Sequence, residues 1–258
     1  MPAEVAWLAR GLEQVPDDDG WLSSREAQRL AAMRYGKRAS EFRVARFAAK
    51  VAIGRAVGLE VGRTADLASI EVARRPTGAP AALVAGAPAG VAMSSTDRAD
   101  WAVTVVGAAP GLELGCDLEL VEPRSAGFVR DYLTASEQAL VAAAPWPVEV
   151  TANLLWSAKE SALKVLQTGL RRDTRSVEVS LEDGEVVEGW NPLTVRAVEG
   201  GVFPGWWRRS GSFLLTVAAN QDLAPPVSLE HPDALAAAVP SHRWLQQPLR
   251  PVRSPGST

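Results

Sequence analysis

The segment over residues 112–120 most constrains the fold, because apolar and polar side chains alternate along it. The apolar positions are Leu112, Leu114, Cys116, Leu118 and Leu120, and the other face carries Glu113, Asp117 and Glu119. This period of two predicts a β-strand with one face against a core. Because positions two apart on a strand lie about 7 Å apart on one side, Asp117 and Glu119 direct their carboxylates into one region. Such a pair suits Mg²⁺, but it also fits the polar face of an ordinary half-buried strand.

A helix is predicted over residues 148–167, and it carries a third carboxylate. Trp156, Glu160 and Lys164 follow one another at intervals of four, which places them on one helix face, with Lys159 beside them. A glutamate followed by a lysine one turn later is often only a surface pair, worth about 0.2–0.5 kcal/mol. The spacing by itself therefore leaves both a structural and a functional interpretation open.

The rest of the chain is predicted to alternate between helices and strands. Strands are expected over 4–11, 101–106 and, as several short ones, within 177–219; helices over 23–34, 39–57 and 128–143; a loop-rich stretch over 74–90. The first helix begins at a capping box of Ser23 and Glu26, and Gly58 ends the second. Each half thus has helices and strands, which predicts an α+β protein with two lobes joined near Pro110.

Composition excludes several classes of protein. Hydrophobic residues make up 47% of the 258 residues and charged residues 22%, as in globular proteins. The net charge of −3 gives no electrostatic case for binding nucleic acid. A single cysteine, Cys116, excludes an internal disulfide framework. No apolar run approaches about 20 residues, and residues 1–10 do not resemble a signal peptide, so we expect a soluble cytoplasmic protein.

Histidine is scarce, which limits the chemistry available. The only two, His231 and His242, lie in the Pro-rich stretch after Leu223, which we expect to be a tail packed on the surface or disordered. A Ser-His-Asp or Cys-His mechanism therefore has no histidine in the part of the chain that is predicted to fold. Any chemistry must use carboxylates and lysines, with or without a metal ion.

Two segments together resemble a known family. Residues 115–119, Gly-Cys-Asp-Leu-Glu, and residues 156–164, Trp-Ser-Ala-Lys-Glu-Ser-Ala-Leu-Lys, resemble the G-x-D-x-E strand and W-x-x-K-E-x-x-x-K helix of 4′-phosphopantetheinyl transferases. The resemblance covers about residues 5–220, and the length is similar to that of the surfactin-type class. That class implies two similar α+β lobes forming an intramolecular pseudodimer: here an N-terminal lobe over 1–111, a C-terminal lobe over 112–223 and a tail over 224–258.

The resemblance also implies a reaction. A serine of an apo acyl or peptidyl carrier protein would attack the β-phosphate of coenzyme A and release 3′,5′-ADP, as a holo-carrier-protein synthase does. Asp117, Glu119 and Glu160 would ligate Mg²⁺, or Mn²⁺ in its place, and Glu160 would also act as the base. Lys164, with Lys159, would stabilise charge on the phosphates. We expect a monomer that binds neither nucleic acid nor a membrane.

Binding of coenzyme A is expected in the N-terminal half. Arg46 and Lys50 would hold the 3′-phosphate; the implied contacts are Arg46, Lys50, Arg75, Ser94, Ser95, Thr96, Lys159 and Lys164. Two positions depart from the family pattern, because Ser95 replaces a histidine and Ala79 replaces a lysine or arginine. These departures keep open a second interpretation, a family member that binds a carrier protein or coenzyme A without transfer.

The carrier protein is expected to dock on the segment between the two signature segments. Phe128, Tyr132 and Leu133 would offer an apolar surface, although ordinary core packing explains each of them equally well. Arg124 and Arg130 would attract an acidic carrier. The sequence does not choose between fatty-acid, polyketide and nonribosomal-peptide carriers, or decide whether acyl-coenzyme A donors are accepted.

Overall fold

The computed structural model describes residues 1–182, 184–230 and 234–240, and this part of the chain is a mixed α+β structure. The first half contains β1 Val5–Gly11, α1 Ser24–Ala31, α2 Gly36–Ala56, α3 Thr64–Ala68, β2 Ile70–Arg74, β3 Pro80–Val84, β4 Ala87–Pro88, β5 Ala92–Arg98 and β6 Trp101–Gly107. The second contains β7 Leu114–Leu120, α4 Ala126–Tyr132, α5 Ala135–Ala143, α6 Val148–Val165, β8 Val177–Leu181, β9 Asn191–Ala197, β10 Val202–Ser210, β11 Phe213–Ala219 and β12 Val227–Ser228.

Three sheets organise these strands. One has the order β12-β1-β6-β5, another β7-β11-β10-β9-β8, and a small one β2-β3-β4. Helix α2 packs on β6 and β1, and α6 packs on β7 and β11. Alternate apolar side chains of β7 enter a core shared with β1, β6 and β11. Strand β7 therefore connects the large C-terminal sheet to the core of the N-terminal one. No helix within the described residues is long and apolar enough to span a membrane.

Several expected elements differ from the observed ones. The loop-rich prediction for residues 74–90 was wrong, because β3 and β4 form there; Pro80 is the first residue of its strand, where a missing N–H is tolerated. The predicted helix over 128–143 is two helices, since Thr134 caps a new one. Within 177–219 the observed strands are β8, β9, β10 and β11. Strands β2 and β5 were not predicted.

The chain after β11 packs against the first strand in its described part. Strand β12 pairs in parallel with β1, with Val227 opposite Ala6. Glu230 pairs with Arg10 and Arg55, and Leu235 is completely buried in the shared core. His231, His242 and residues 241–258 lie outside the described residues.

Each of the two long helices, α2 and α6, carries a buried lysine that pairs with a buried glutamate. Lys50 of α2 is 0% exposed; its Nζ lies 2.6 Å from Glu26 Oε2 and donates to the carbonyls of Trp21 and Leu67. The other oxygen of Glu26 accepts from the backbone N–H of Val72. Burial lowers the pKa of Lys50, and Glu26 opposes that shift.

The second pair repeats this arrangement in the C-terminal half. Lys159 of α6 is 0% exposed; its Nζ lies 2.7 Å from Glu137 Oε2 and donates to the carbonyls of Thr174 and Val177. Glu137 Oε1 accepts from the backbone N–H of Val179. Glu26 and Glu137 are each the third residue of a capped helix, so each carboxylate connects a helix start, a lysine and a strand.

Replacing either lysine is expected to destabilise the fold strongly. Lys159→Met leaves the buried carboxylate of Glu137 without its cation, which should lower the free energy of unfolding by about 3–5 kcal/mol. Lys50→Met leaves Glu26 with only Arg46, whose Nε lies 3.6 Å away, and should cost somewhat less. Urea unfolding followed by circular dichroism measures this loss. Lys37→Met is the matched control, because its ion pair with Glu41 is exposed and should cost about 1 kcal/mol or less. Equal losses in all three variants would contradict the account.

Candidate functional site

The site forms where the outermost strands of the two large sheets meet. Strands β5 and β7 are each at the end of their sheet, so one edge of β7 carries backbone amides with no neighbouring strand. Ser94 Oγ accepts from the N–H of Cys116 at 3.0 Å, and Thr96 Oγ1 accepts from the N–H of Leu118 at 3.2 Å. Side-chain hydroxyl groups of β5 thus bond the edge of β7 where a neighbouring strand would otherwise form backbone hydrogen bonds, and they fix β7 beside β5.

Helix α6 reaches the other face of β7 because Gly115 has no side chain. A Cβ at this position would lie 1.8 Å from the carbonyl oxygen of Ser161, so only glycine permits this approach. Ser157 Oγ donates to the carbonyl of Asp117 at 3.1 Å. The two segments singled out in the sequence therefore lie directly against each other, with Asp117 and Glu119 facing the helix rather than solvent.

Asp117 and Lys164 form the centre of the site. Lys164 Nζ donates to Asp117 Oδ1 at 2.9 Å and to the carbonyl of Cys116 at 2.8 Å. Thr96 Oγ1 lies 3.3 Å from the same carboxylate oxygen. Asp117 is only 7% exposed. Burial lowers the pKa of Lys164, but the charge and hydrogen bond of Asp117, together with Cys116 and Glu160, outweigh it and raise that pKa above its usual range, so Lys164 stays charged.

Glu119 lies in the same region and both of its oxygens are bonded. Trp156 Nε1 donates to Glu119 Oε1 at 3.0 Å. Arg124 donates to Oε2 at 3.0 Å, and Arg98 Nε lies 3.4 Å from that oxygen. Burial and the nearby charge of Asp117 raise the pKa of Glu119, and the two arginines oppose this shift.

Glu160 and Asp117 each keep one oxygen without a partner. Among the described residues, neither Glu160 Oε1 nor Asp117 Oδ2 has a hydrogen-bond donor, although both atoms are buried. Burial first, and then the charge of Asp117, raise the pKa of Glu160 to about 7. Two unpaired buried carboxylate oxygens require a cation or a donor to compensate their lost hydration. The arrangement therefore fits a hard cation held by these two residues.

The predicted set of three metal ligands is not assembled in this structure. Over the ranges that the structure describes, no three acidic, histidine or cysteine side chains are placed to hold one metal ion. Glu119 is near Asp117, but its oxygens are taken by Trp156 and Arg124. The two open oxygens belong to Asp117 and Glu160.

A cleft of about 450 Å³ adjoins this centre and shares Lys164 with it. It lies between the loop joining β2 to β3 and the end of α6. Arg74, Ser94 and Ser95 line it from the N-terminal half, and Arg171 lines it from the other side. Ser95 Oγ is hydrogen-bonded to Thr104 Oγ1 at 2.8 Å. The cleft offers cationic and hydroxyl groups, and the carboxylate of Glu113 that also lines it is paired with Arg75. This balance suits an anionic ligand.

A group of three arginines extends from the cleft. Arg46 is mostly buried over the ring of Phe42, and its Nε has no hydrogen-bond partner among the described residues. Burial lowers the pKa of Arg46; Glu26, whose Oε1 lies 3.6 Å from Nε, opposes this shift, and the charges of Arg29 and Arg74 add to it. Because Glu26 is already paired with Lys50, the excess of positive charge at these three arginines favours a bound anion.

The structure separates other predicted residues from the cleft. Lys50 and Lys159, expected to contact coenzyme A, are completely buried, with their ammonium groups bonded to Glu26 and Glu137; neither can reach a ligand. Arg75 pairs with Glu113 at 2.7 Å, whereas its neighbour Arg74 lines the cleft. The sequence analysis named Arg75 and not Arg74 because β2, which ends at Arg74, was not predicted, and it had no signal for Arg29, Arg98 or Arg171.

Helix α4 presents the aromatic residues that were expected to contact a carrier. Phe128, Tyr132 and Trp156 stack with centroid distances of 5.0–5.2 Å, and Tyr132 is exposed. Leu133 is fully buried and belongs to the core, so it cannot contribute to a surface. Arg124 turns inward to Glu119, while Arg130 is exposed and pairs with Asp131.

Comparison with protein families agrees with this geometry. The sequence model of the 4′-phosphopantetheinyl transferase superfamily matches residues 113–194, which include β7 and α6. The match indicates a transferase domain whose general reaction is phosphopantetheinyl transfer. A search of curated proteins found no match.

Asp117→Asn is expected to lower the pKa of Glu160. The substitution removes the negative charge that disfavours ionisation, while Lys164, which favours it, remains. The pKa should fall below about 7 and stay above its ordinary value, because Glu160 remains buried. Carbon-13 NMR titration of the metal-free protein measures it. Glu113→Gln, on the same strand but paired with Arg75, should leave the value unchanged; an unchanged pKa in Asp117→Asn would contradict this electrostatic account.

Proposed function

We propose that this chain is a 4′-phosphopantetheinyl transferase of the two-lobed, surfactin type. It would move the arm of coenzyme A onto a serine of an apo carrier protein in the cytoplasm and release 3′,5′-ADP. The observation that carries the proposal is the contact between β7 and α6, which brings Asp117, Glu160 and Lys164 together beside a cationic cleft. The superfamily match over residues 113–194 supports the same reaction.

The repeated lysine–glutamate pair supports a pseudodimer of two similar lobes. In the first, Glu26 contacts Lys50 and the N–H of Val72. In the second, Glu137 contacts Lys159 and the N–H of Val179. Both glutamates occupy the same position of a capping box. We place the lobes at 1–111 and 112–223, with 224–258 as a C-terminal extension, and the active site between them in a monomer.

Asp117 and Glu160 are the residues that would hold Mg²⁺, or Mn²⁺ in its place, through their unpaired oxygens. Mg²⁺ usually takes one or two carboxylates together with water and substrate phosphates. When bound, the ion supplies charge neutralisation at the pyrophosphate of coenzyme A. Glu119 would support the site from its bonded position.

The chain's own residues position and neutralise the reactants. Lys164, held by Asp117, places a fixed positive charge at the end of the cleft shared with the carboxylates. Glu160 would accept the proton of the attacking serine hydroxyl, a contribution typically worth about 10²–10⁴-fold. The serine oxygen bonds to the β-phosphorus while the bond from this phosphorus to the bridging oxygen breaks, and 3′,5′-ADP takes the electron pair.

Coenzyme A would lie along the cleft with its 3′-phosphate at the group of arginines. Arg46 and Arg74 are the residues proposed to hold that phosphate, and Ser95 lines the cleft wall. This assignment replaces Lys50 and Arg75. Ser94 and Thr96 support the site by holding β7 in place. Their hydroxyl oxygens accept hydrogen bonds from backbone N–H groups at the edge of β7.

The carrier protein would approach helix α4. Phe128 and Tyr132 present an aromatic surface beside Trp156, which in turn bonds Glu119. Arg130 is exposed at the same helix, so an acidic carrier would be attracted there. This placement brings the carrier serine to the side of the carboxylates.

A second candidate function is binding of coenzyme A or a carrier without transfer. It is favoured by one observation: Ser95 is neutral and its hydroxyl is already bonded to Thr104, so it adds no charge near a phosphate. Turnover separates the two candidates, because a binding protein would bind coenzyme A and leave the carrier unmodified.

The transfer reaction is tested on a panel of apo carrier proteins. Incubation with coenzyme A and Mg²⁺ should add the mass of the phosphopantetheine arm to at least one carrier, as measured by intact mass spectrometry. Omission of the metal should abolish the gain. Folded protein that binds coenzyme A but modifies no carrier of the fatty-acid, polyketide or nonribosomal-peptide classes would support the binding function instead.

Substitution of the carboxylates tests their roles in the same assay. Asp117→Ala and Glu160→Ala are each expected to lower kcat by at least about 10²-fold, as when a charge-stabilising or basic group is removed. Glu113→Ala removes a carboxylate of the same strand that pairs with Arg75 and should retain most activity. Similar losses in all three variants would show that the strand acts only as part of the fold.

Arg74→Ala tests the proposed position of the 3′-phosphate. It should raise KM for coenzyme A about tenfold, the effect of one charge-assisted hydrogen bond, with a smaller change in kcat. The increase should nearly vanish with dephospho-coenzyme A, which lacks the 3′-phosphate. Arg75→Ala is the matched control, since Arg75 pairs with Glu113. If Arg75→Ala behaves like Arg74→Ala with both donors, the placement of coenzyme A is wrong.

A further inference from the structure

Arg124 is fixed in place against the carboxylates. Its NH2 group donates to Glu119 Oε2 at 3.0 Å, and its Nε donates to Asn153 Oδ1 at 2.6 Å. The guanidinium lies 4.6 Å from the ring centroid of Phe128, and the side chain is 17% exposed. Asn153 is itself held by the carbonyls of Glu122 and Glu149. The hydrogen bonds to Glu119 and Asn153 and the contact with the ring of Phe128 therefore fix the orientation of this arginine toward Glu119.

The three carboxylates of the site differ in whether their oxygens already have hydrogen-bond partners. Asp117 and Glu160 each keep one buried oxygen that no described residue bonds. Glu119 has no unbonded oxygen, because Trp156 donates to Oε1 and Arg124 donates to Oε2. For Glu119 to contact a cation directly, its charge-assisted bond to Arg124 would have to break. This difference explains why three ligands are not in place together among the described residues.

We propose that Arg124 is a positioning residue that holds Glu119 away from the cation in the free protein, which leaves Asp117 and Glu160 as the direct ligands. The inference rests on the cation site of the proposed function and deepens it. Two direct carboxylates leave most of the coordination shell of a divalent ion to water and to donor phosphates. Arg124 thus keeps the affinity of the free protein for the ion low.

A double-mutant cycle on cation binding tests this role without any activity measurement. Free Mn²⁺ is followed by electron paramagnetic resonance as it is added, without coenzyme A, to the wild type, Arg124→Gln, Glu119→Gln and the double variant. Arg124→Gln should bind Mn²⁺ about tenfold more tightly, the effect of releasing one charge-assisted bond. In the Glu119→Gln background the same substitution should gain less than about threefold, because only the loss of a nearby positive charge remains.

Matched variants separate positioning from charge. Arg124→Lys keeps the positive charge but loses the planar guanidinium that bonds both Glu119 and Asn153, so it should bind Mn²⁺ more tightly than the wild type if the role is positioning, and equally tightly if the role is charge alone. Arg130→Gln removes the same charge from an exposed position paired with Asp131 and should change the affinity less than about twofold, as expected for a screened surface charge. Arg98→Gln removes the other guanidinium near Glu119 Oε2 and should give a smaller gain with the same dependence on Glu119. If circular dichroism shows that Arg124→Gln is unfolded, Arg98→Gln is used in its place.

The outcomes distinguish this inference from the function on which it rests. An equal gain in both backgrounds would mean that Arg124 acts through charge alone, and the positioning role would be overturned while the cation site stands. Absence of Mn²⁺ binding in all four proteins would overturn the cation site and the positioning role together. The transfer assay is read separately: modification of a carrier supports the proposed function even where the positioning role of Arg124 is overturned.

Discussion

The edge of β7 is the feature on which the rest of the structure depends. An outermost strand leaves one row of backbone amides unpaired, and buried amides must find acceptors. Ser94 and Thr96 supply these acceptors from β5, the edge of the other large sheet. Two sheets are thereby joined through hydroxyl groups instead of a continuous ladder. The spacing that this leaves between them admits side chains, and the cleft that contains Ser94 and Lys164 lies along this junction.

The two faces of β7 pack against different parts of the structure. One face completes the shared apolar core through Leu114, Cys116 and Leu118. The other receives α6 at Gly115, which holds the helix close enough for Lys164 to bond Asp117. Burying acidic groups at such a contact is unfavourable unless cations or donors compensate them. Lys164 compensates one oxygen of Asp117, and the unpaired oxygens that remain mark where a further cation is needed.

Local patterns in the sequence predicted the elements that carry the site. The alternation over 112–120 and the spacing of Trp156, Glu160 and Lys164 correspond to β7 and α6 because both patterns depend only on neighbours along the chain. The capping box of Ser23 and Glu26 was also predicted. The same signature at Thr134 and Glu137 was present but not used as a helix start, so two helices were predicted as one.

Features that depend on distant segments were not predictable in this way. Whether Lys50 reaches solvent is decided by the carbonyls of Trp21 and Leu67, which no local pattern brings to it. The difference between Arg74 and Arg75 depends on where β2 ends and on the pairing of Arg75 with Glu113. The ion pairs of Glu119 with Arg98 and Arg124 likewise require the folded arrangement of β5, β7 and the chain that follows.

The position of the cation tests the central claim most directly. Crystals grown with coenzyme A and Mn²⁺ allow the metal to be located by its anomalous scattering. The account predicts one peak beside the carboxylates of Asp117 and Glu160, with the pyrophosphate next to it and the 3′-phosphate at Arg46 and Arg74. A well-ordered coenzyme A with its pyrophosphate and metal away from Asp117 and Glu160 would contradict it.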